Sequence, residues 1–377
     1  MSNKIKNRYV PSLSKLAQYF RDWFHNSSEP INFILLYAHN GTGKTRLSME
    51  FKDRGKKKKE RPDTLYFNAY TEDLFYWDND LENDTRRVLL INKYSKFLND
   101  IEAMDMENKI RPLFQRYVDT NFSIDYKYKK KESDIDVFWA VNFIREENIN
   151  GTVNNVDFIK VSRGEENIFI WCTFLAICQL VIDGDESYNW VEYIYIDDPI
   201  SSLDDNNVIA VASDLAQLLK KGKDKVKTVV SSHHTLFFNV MCNELRKEEH
   251  RCFFLHKNKT GRYILRATDE TPFFHHIALL SELKQVRDSG KIQTYHFNTL
   301  RSILEKTAVF FGYTDFSDCI HGVDDEVLYA RALNLLSHGK YSVFQPVEMG
   351  DDTKELFIRI LDEFLKKYEF ALPDLLN

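Results

Sequence analysis

The chain has 377 residues, enough for two or three domains, and its 43% hydrophobic and 29% charged residues describe a globular protein rather than a disordered or fibrous one. A formal net charge of −6 argues against a protein built wholly for nucleic-acid binding, so any such contact has to come from a local site. The opening MSNKIKNRYV lacks the apolar segment of a secretory leader and no apolar run reads as a membrane span, so a cytoplasmic location without membrane contact is expected.

In chain order, INFILLYA (31–38) is a short apolar run that reads as a buried strand. It leads directly into HNGTGKT, with Asn40, Gly41, Thr42, Gly43, Lys44 and Thr45 between that strand and a following helix. Glycines let backbone amides curl around phosphates, a lysine neutralises the β and γ oxygens, and a threonine hydroxyl ligates Mg²⁺. The first glycine usual in such a loop is Ala38 here, which fits if that residue keeps φ negative.

RGKKKKERP (54–62) and DYKYKKKES (125–133) are lysine-rich and read equally as solvated loops or phosphate contacts. TLYFNAY (64–70) is a second buried strand, and the charged stretch at about 79–135 carries helical spacing, predicting a helical insertion. In KVSRGEENIF (160–169), Ser162, Gly164 and Glu165 precede a buried helix over 167–183 and form a candidate anion site at its start. VEYIYID (191–197) is a third strand ending in Asp197 and Asp198, followed by Ser201, Ser202, Leu203 and Asp204. Asp197 suits Mg²⁺ coordination and Asp198 suits polarising an attacking water. KVKTVVSS (225–232) is a fourth strand, ending beside His233, a candidate γ-phosphate contact, with His234 the competing one. Beyond about residue 271 the strand signals fade and helical periodicity covers 276–288, 296–311, 324–338 and 352–369. The expected division is therefore 1–262 as an α/β domain and 263–377 as a helical one. The five cysteines are scattered without paired metal-ligand spacing and are expected as buried thiols.

In the last stretch Arg301 and Glu305 lie four apart on one helix face, and His338 follows Glu305 by 33 residues. An intrahelical ion pair and a helix-end histidine explain them structurally. The same three types also match metal-free RNA cleavage, which needs a base for the 2′-OH proton, an acid for the leaving oxygen and a cation for the phosphorane charge. Glu305 and His338 would share the acid and base roles, in an order the sequence leaves open, and Arg301 would supply the cation.

The order and spacing of the first set resemble an ABC-type ATPase head, with Walker A, signature, Walker B, D-loop and switch histidine. The fold class is thus expected to be α/β, an ABC-type P-loop NTPase head followed by an all-α domain. Nearly the full length resembles the PrrC family of anticodon nucleases, through AHNGTGKT, LYFNAYTEDLFYWD, SRGEENIF, YIDDPISSLDDNN, SSHHTLFF and R-x3-E followed by LNLLSH. The resemblance implies a ribonuclease triad at Arg301, Glu305 and His338, and a recognition zone around LRATDE with Leu265, Arg266 and Asp269. It also implies a homodimer or higher homo-oligomer through head-to-tail heads, and ATP or GTP with Mg²⁺ at the NTPase site, with no metal at the RNA-cleaving one. The implied substrate is the anticodon stem-loop of tRNA, typically a lysine tRNA, left with 2′,3′-cyclic phosphate and 5′-OH ends. The implied setting is phage defence, with a type I restriction–modification complex as silencer. A DNA-sensing regulatory ATPase whose helical domain only docks a partner is the alternative. An NTP-dependent DNA nuclease is disfavoured because no carboxylate cluster in 271–377 has an evident metal-site pattern.

Overall fold

A computed structural model describes residues 7–26, 28–59, 62–68, 75–79, 87–91, 105–129, 137–149, 152–199, 205–257, 261–268, 274–320 and 350–368. The chain divides into two compact units, Met1–Glu270 and Thr271–Asn377.

The first unit holds a seven-stranded sheet of order β1-β12-β11-β2-β10-β9-β3. Its strands are β1 (Asn7–Val10), β2 (Phe33–Tyr37), β3 (Thr64–Asn68), β9 (Tyr193–Asp197), β10 (Lys227–Ser232), β11 (His250–Lys257) and β12 (Tyr263–Ala267). The run β11-β2-β10-β9-β3 is parallel, while β12 and β1 add antiparallel pairs at one edge. Strands β2 and β9 are buried along their whole length, as parallel strands covered on both faces must be. Helices α1 (Leu13–Phe24) and α2 (Lys44–Lys59) pack against the sheet, with Leu16, Phe20, Leu47 and Phe51 in one core with Ile34, Leu36 and Tyr195.

A second sheet, of order β4-β5-β7-β6 with β8 on β7, comprises β4 (Phe75–Asn79), β5 (Arg87–Ile91), β6 (Asn121–Lys129), β7 (Val137–Ile149) and β8 (Thr152–Val156). The predicted helical insertion at about 79–135 is thus corrected: its described residues form strands around one helix, α3 (Met106–Phe114). The physical reason lies in alternation: in NFSIDYKYK the residues Phe122, Ile124 and Tyr128 turn inward while Asp125 and Lys129 face solvent. The central helix α4 (Arg163–Asp183) carries the ring of Phe169 against Phe75, Phe114, Phe122 and Phe143, and Trp171 and Phe174 against Phe67 of β3. Contrary to the sequence reading, this helix is long and apolar enough to cross a membrane, but 72% of its apolar window is buried inside the protein. Helices α5 (Asp205–Gly222) and α6 (Thr235–Glu244) complete the unit.

The second unit is helical among its described residues: α7 (Phe274–Ser289), α8 (Thr294–Phe311), a 3₁₀ turn at Phe316–Ile320 and α9 (Asp351–Lys367). Leu283, Phe297, Leu304, Ile320, Phe357 and Phe364 form its own core. The expected boundary at 262/263 moves to 270/271, because Tyr263–Ala267 pairs with both β1 and β11 as a strand of the first unit. The expected helix over 324–338 lies outside the described residues.

Candidate functional site

Strand β2, interior to the sheet, delivers the glycine-rich loop at its carboxyl end, and α2 begins at Lys44. Gly41 and Gly43 take positive φ, 77° and 106°, and a Cβ on Gly43 would stand 2.9 Å from Leu13 Cδ1, so an L side chain fits neither the backbone nor the space there. Ala38 is absent from the positive-φ residues, so it occupies the first loop position without strain. The Lys44 ammonium is buried under the loop, donating to the carbonyls of Ala38 (3.1 Å) and His39 (3.4 Å) and to Asn40 Oδ1 (3.4 Å).

Parallel pairing of β9 with β10 sets Asp197 opposite Ser231, whose hydroxyl donates to Asp197 Oδ1 at 2.7 Å. Asp197 Oδ2 is buried with no hydrogen-bond partner. Burial raises the pKa of Asp197, and the hydroxyls of Ser231 and Thr45 and the charge of Lys44 pull against it. A buried, unsatisfied carboxylate oxygen beside a threonine hydroxyl is a hard-oxygen donor set of the kind Mg²⁺ takes.

Asp198 adopts φ 47°, in the left-handed region, at the turn leaving β9. Its Oδ2 lies 3.1 Å from Lys44 Nζ, and its Oδ1 faces both the backbone amide and Nδ1 of His233 at 2.8 Å. Burial pushes the Asp198 carboxyl up, but His233 and Lys44 outweigh that and hold its pKa low. The two neighbouring histidines have different partners. His233 meets Asp198, while His234 is the N-cap of α6, its Nδ1 accepting from the Phe237 amide at 3.4 Å.

Two participants in this cluster escaped the sequence reading. Ser231 acts through strand register, and its only sequence signal is its place in the run leading to His233. His39 sits edge-on to Tyr37 and Phe254, and burial, followed by the charge of Lys44, lowers its pKa to about 4.

Ser162 caps α4 in a capping box: its hydroxyl accepts from the Glu165 amide, and Glu165 Oε2 accepts from the Ser162 amide at 2.8 Å. Glu165 Oε1 accepts from Thr120 (2.6 Å) and Arg145 (3.3 Å). Burial raises the Glu165 pKa, yet these donors leave it lowered. None of the described contacts of Ser162 and Glu165 reaches the Lys44 cluster. Leu265, on β12, is 2% exposed and packs in the core of the first unit. Arg266 is half-buried on the same strand, whose Tyr263 hydroxyl approaches Gly43. Asp269 and Ser201–Asp204 lie outside the described residues.

In the second unit Arg301 Nε donates to Glu305 Oε1 at 2.7 Å across one turn of α8. The guanidinium lies 5.2 Å from the centroid of the Phe316 ring, within cation–π range. Arg301 is mostly buried and Glu305 is half exposed, so the pair presents a carboxylate to solvent above a fixed cation. His338 lies outside the described residues.

The AAA domain family (AAA_13) matches residues 148–366, which include Ser162, Asp197, Asp198, His233, Arg301 and Glu305. Such a domain implies nucleotide binding. A solved structure, described as the SMC head bound to the C-terminal winged-helix domain of ScpA, superposes with a TM-score of 0.33 at 10% identity, covering 63% of this chain and 91% of that one. At that score the likeness supports no functional statement. The anticodon nuclease of Escherichia coli is 34% identical over 358 residues, spanning 86% of this chain and 87% of the relative. With that identity over that length, the chain belongs to the anticodon nuclease family and carries its NTPase domain.

Proposed function

We propose that this chain is a nucleotide-controlled endoribonuclease that cuts tRNA in the anticodon loop, with a lysine tRNA the first substrate to test. The supporting observation is the Arg301–Glu305 pair, 2.7 Å apart with the carboxylate half exposed, in a chain so similar to an anticodon nuclease. In this reaction a base takes the 2′-OH proton, the 2′-oxygen attacks the adjacent phosphorus, and the bond to the 5′-oxygen breaks as an acid protonates it. The products are a 2′,3′-cyclic phosphate and a 5′-OH. Glu305 and His338 share the base and acid roles, each worth roughly 10²–10⁴-fold. Arg301, seated on Phe316, opposes the charge of the phosphorane.

The first unit supplies control. The loop amides of Asn40–Thr45 and the Lys44 ammonium hold the phosphates of ATP or GTP. Thr45 and Asp197 would hold Mg²⁺, which when bound offsets charge on the β and γ oxygens. Asp198 orients the attacking water and His233 meets the γ-phosphate. Ser162, Gly164 and Glu165 serve the nucleotide of a second copy in a head-to-tail homodimer, in keeping with contacts that stay away from their own phosphate loop. The setting proposed is phage defence in the bacterial cytoplasm, with a type I restriction–modification complex as silencer.

The test is a gel of total tRNA from cells expressing the chain or its His338→Ala variant. Discrete half-tRNAs that persist with EDTA in the purified reaction, and vanish in Arg301→Ala, Glu305→Ala and His338→Ala while nucleotide binding survives, are expected. Undiminished nicking by all three variants removes the triad. Uncut tRNA with hydrolysis stimulated by DNA or a protein supports the regulatory ATPase instead.

A further inference from the structure

Ligands of parallel sheets bind beyond the carboxyl ends of the strands, and β2 opens into the phosphate loop at that end. The strands on the two sides of β2 offer different chemistry there. On one side β10 and β9 bring His233, Asp197 and Asp198, and Asp198 meets Lys44 at 3.1 Å. Carboxylates of that kind, with Mg²⁺, suit the β and γ phosphates of a nucleotide. The nucleoside end of such a ligand therefore runs the other way, over β11 and β12. β11 lies parallel to β2 with Phe254 level with Tyr37, so Leu255, His256 and Lys257 run on beside the loop that follows Tyr37. β12 returns antiparallel, with Tyr263 paired to Lys257 on one side and to Val10 of β1 on the other.

Two side chains at that place are unspent. Tyr263 is half-buried, and its hydroxyl stands 3.5 Å from the point a Cβ on Gly43 would occupy, so it adjoins the phosphate loop itself. Leu13 of α1 closes the same corner, 2.9 Å from that point. Lys257 is exposed, and its ammonium lies 5.1 Å from the centroid of the Tyr263 ring. Among the described residues neither the Tyr263 hydroxyl nor the Lys257 ammonium has a hydrogen-bond or ion-pair partner. A phenol ring with a free hydroxyl, beside an ammonium with three donors, matches a nucleoside: a flat base on a sugar rich in acceptors.

We propose that Tyr263 and Lys257 form the nucleoside end of the nucleotide site, the purine stacked on the Tyr263 ring and the hydroxyl and ammonium bonded to the ribose. This rests on the nucleotide-control reading and adds to it how the base is held. Stacking accepts either purine, since each presents a π face, so the site takes ATP and GTP alike. The chain order hides the arrangement, because Tyr263 comes far after the phosphate loop and reaches Gly43 only through the pairing of β11 with β2 and of β12 with β11.

The experiment is calorimetric titration of the full-length chain with ATP, GTP and inorganic tripolyphosphate, each with Mg²⁺. Tripolyphosphate presents the phosphate chain without a nucleoside, and the parent should bind it less tightly than either nucleotide. Tyr263→Leu, which keeps an apolar side chain in β12, should weaken ATP and GTP alike by roughly 5- to 150-fold and leave tripolyphosphate within twofold. Lys257→Gln, at an exposed position that leaves the core intact, should weaken both nucleotides by about tenfold and also spare tripolyphosphate. If the variants weaken tripolyphosphate as much as ATP, the two residues prop the phosphate loop and the nucleoside assignment is wrong. A loss confined to one of the two purines means that the base edge is read, and overturns stacking. If both variants bind nucleotide within twofold of the parent, the nucleoside end lies elsewhere while the nucleotide reading stands. If the parent binds neither nucleotide nor tripolyphosphate, both fall.

Discussion

Lys44 stands between two claims on one ammonium. Asp198 holds it at 3.1 Å, opposite the loop carbonyls, so under the proposed function phosphate oxygens would compete with that carboxylate for it. Asp198→Asn removes the competing charge, so it should bind ATP or GTP at least as tightly as the parent while hydrolysis falls by roughly 10²-fold or more. Nucleotide titration together with phosphate release measures both, and hydrolysis at the parent rate would free Asp198 of any part in positioning water. Burial holds the His39 pKa at about 4, against about 6.5 in an unfolded chain. Between those values the unfolded chain carries the proton and the folded one does not, so stability falls as pH drops through that window. His39→Gln should reduce the slope of unfolding free energy against pH there by up to about 1.4 kcal/mol per pH unit, measured by urea titration at pH 4.5, 5.5 and 6.5. The phosphate loop and the Arg301/Glu305 pair were legible because each is contiguous or set by helical spacing. Ser231, His39 and the Phe316 ring under Arg301 were not, because strand register and a turn after the helix bring them in.

Among the elements, the strands read correctly are those buried on both faces, where a run such as FILLY or YIYID has no competing interpretation. The strands missed are β1, β4, β5, β6, β7, β8, β11 and β12; β1 is an edge strand, and β6, β11 and β12 carry lysines, arginines or histidines that dilute their apolar pattern. Joining these elements is a clasp that no local pattern announces. Arg21 of α1 donates to Asp63, just before β3, at 2.8 and 3.0 Å, to the Phe51 carbonyl of α2 at 3.1 and 2.7 Å, and to Thr64 at 3.1 Å. Its guanidinium also faces the rings of Phe51 and Tyr193 at 4.3 and 4.6 Å. The pair is nearly closed to water, so Asp63→Ala leaves a buried cation uncompensated and should cost roughly 3–5 kcal/mol. Gly55→Ala tests the same clasp from the other side, because its Cβ would lie 1.9 Å from Asp63 Oδ1 and must push that carboxylate off Arg21. Both variants should lower the urea midpoint of the first unit, and a Gly55→Ala midpoint equal to the parent's would mean that the clasp yields without cost.

At the scale of the molecule, each unit encloses its own core, Phe20, Leu36, Phe51 and Tyr195 in the first and Leu283, Phe297, Leu304 and Phe364 in the second. Separate cores make separate cooperative steps, and a single two-state description then fails. The sequence supplies the means to see this, since all five tryptophans (Trp23, Trp77, Trp139, Trp171 and Trp190) precede residue 271. Tryptophan fluorescence therefore reports the first unit alone, while far-UV circular dichroism also sums the helices α7, α8 and α9 of the second. Denaturation followed by the two signals should give midpoints that do not coincide. Saturating ATP or GTP with Mg²⁺ should raise the fluorescence midpoint by mass action on the unit that holds the phosphate loop, about 2.7 kcal/mol at a hundredfold excess over Kd. The transition of the second unit should stay in place. Coincident transitions that move together with nucleotide would mean the two units unfold as one, and that nucleotide binding stabilises the Arg301–Glu305 unit directly.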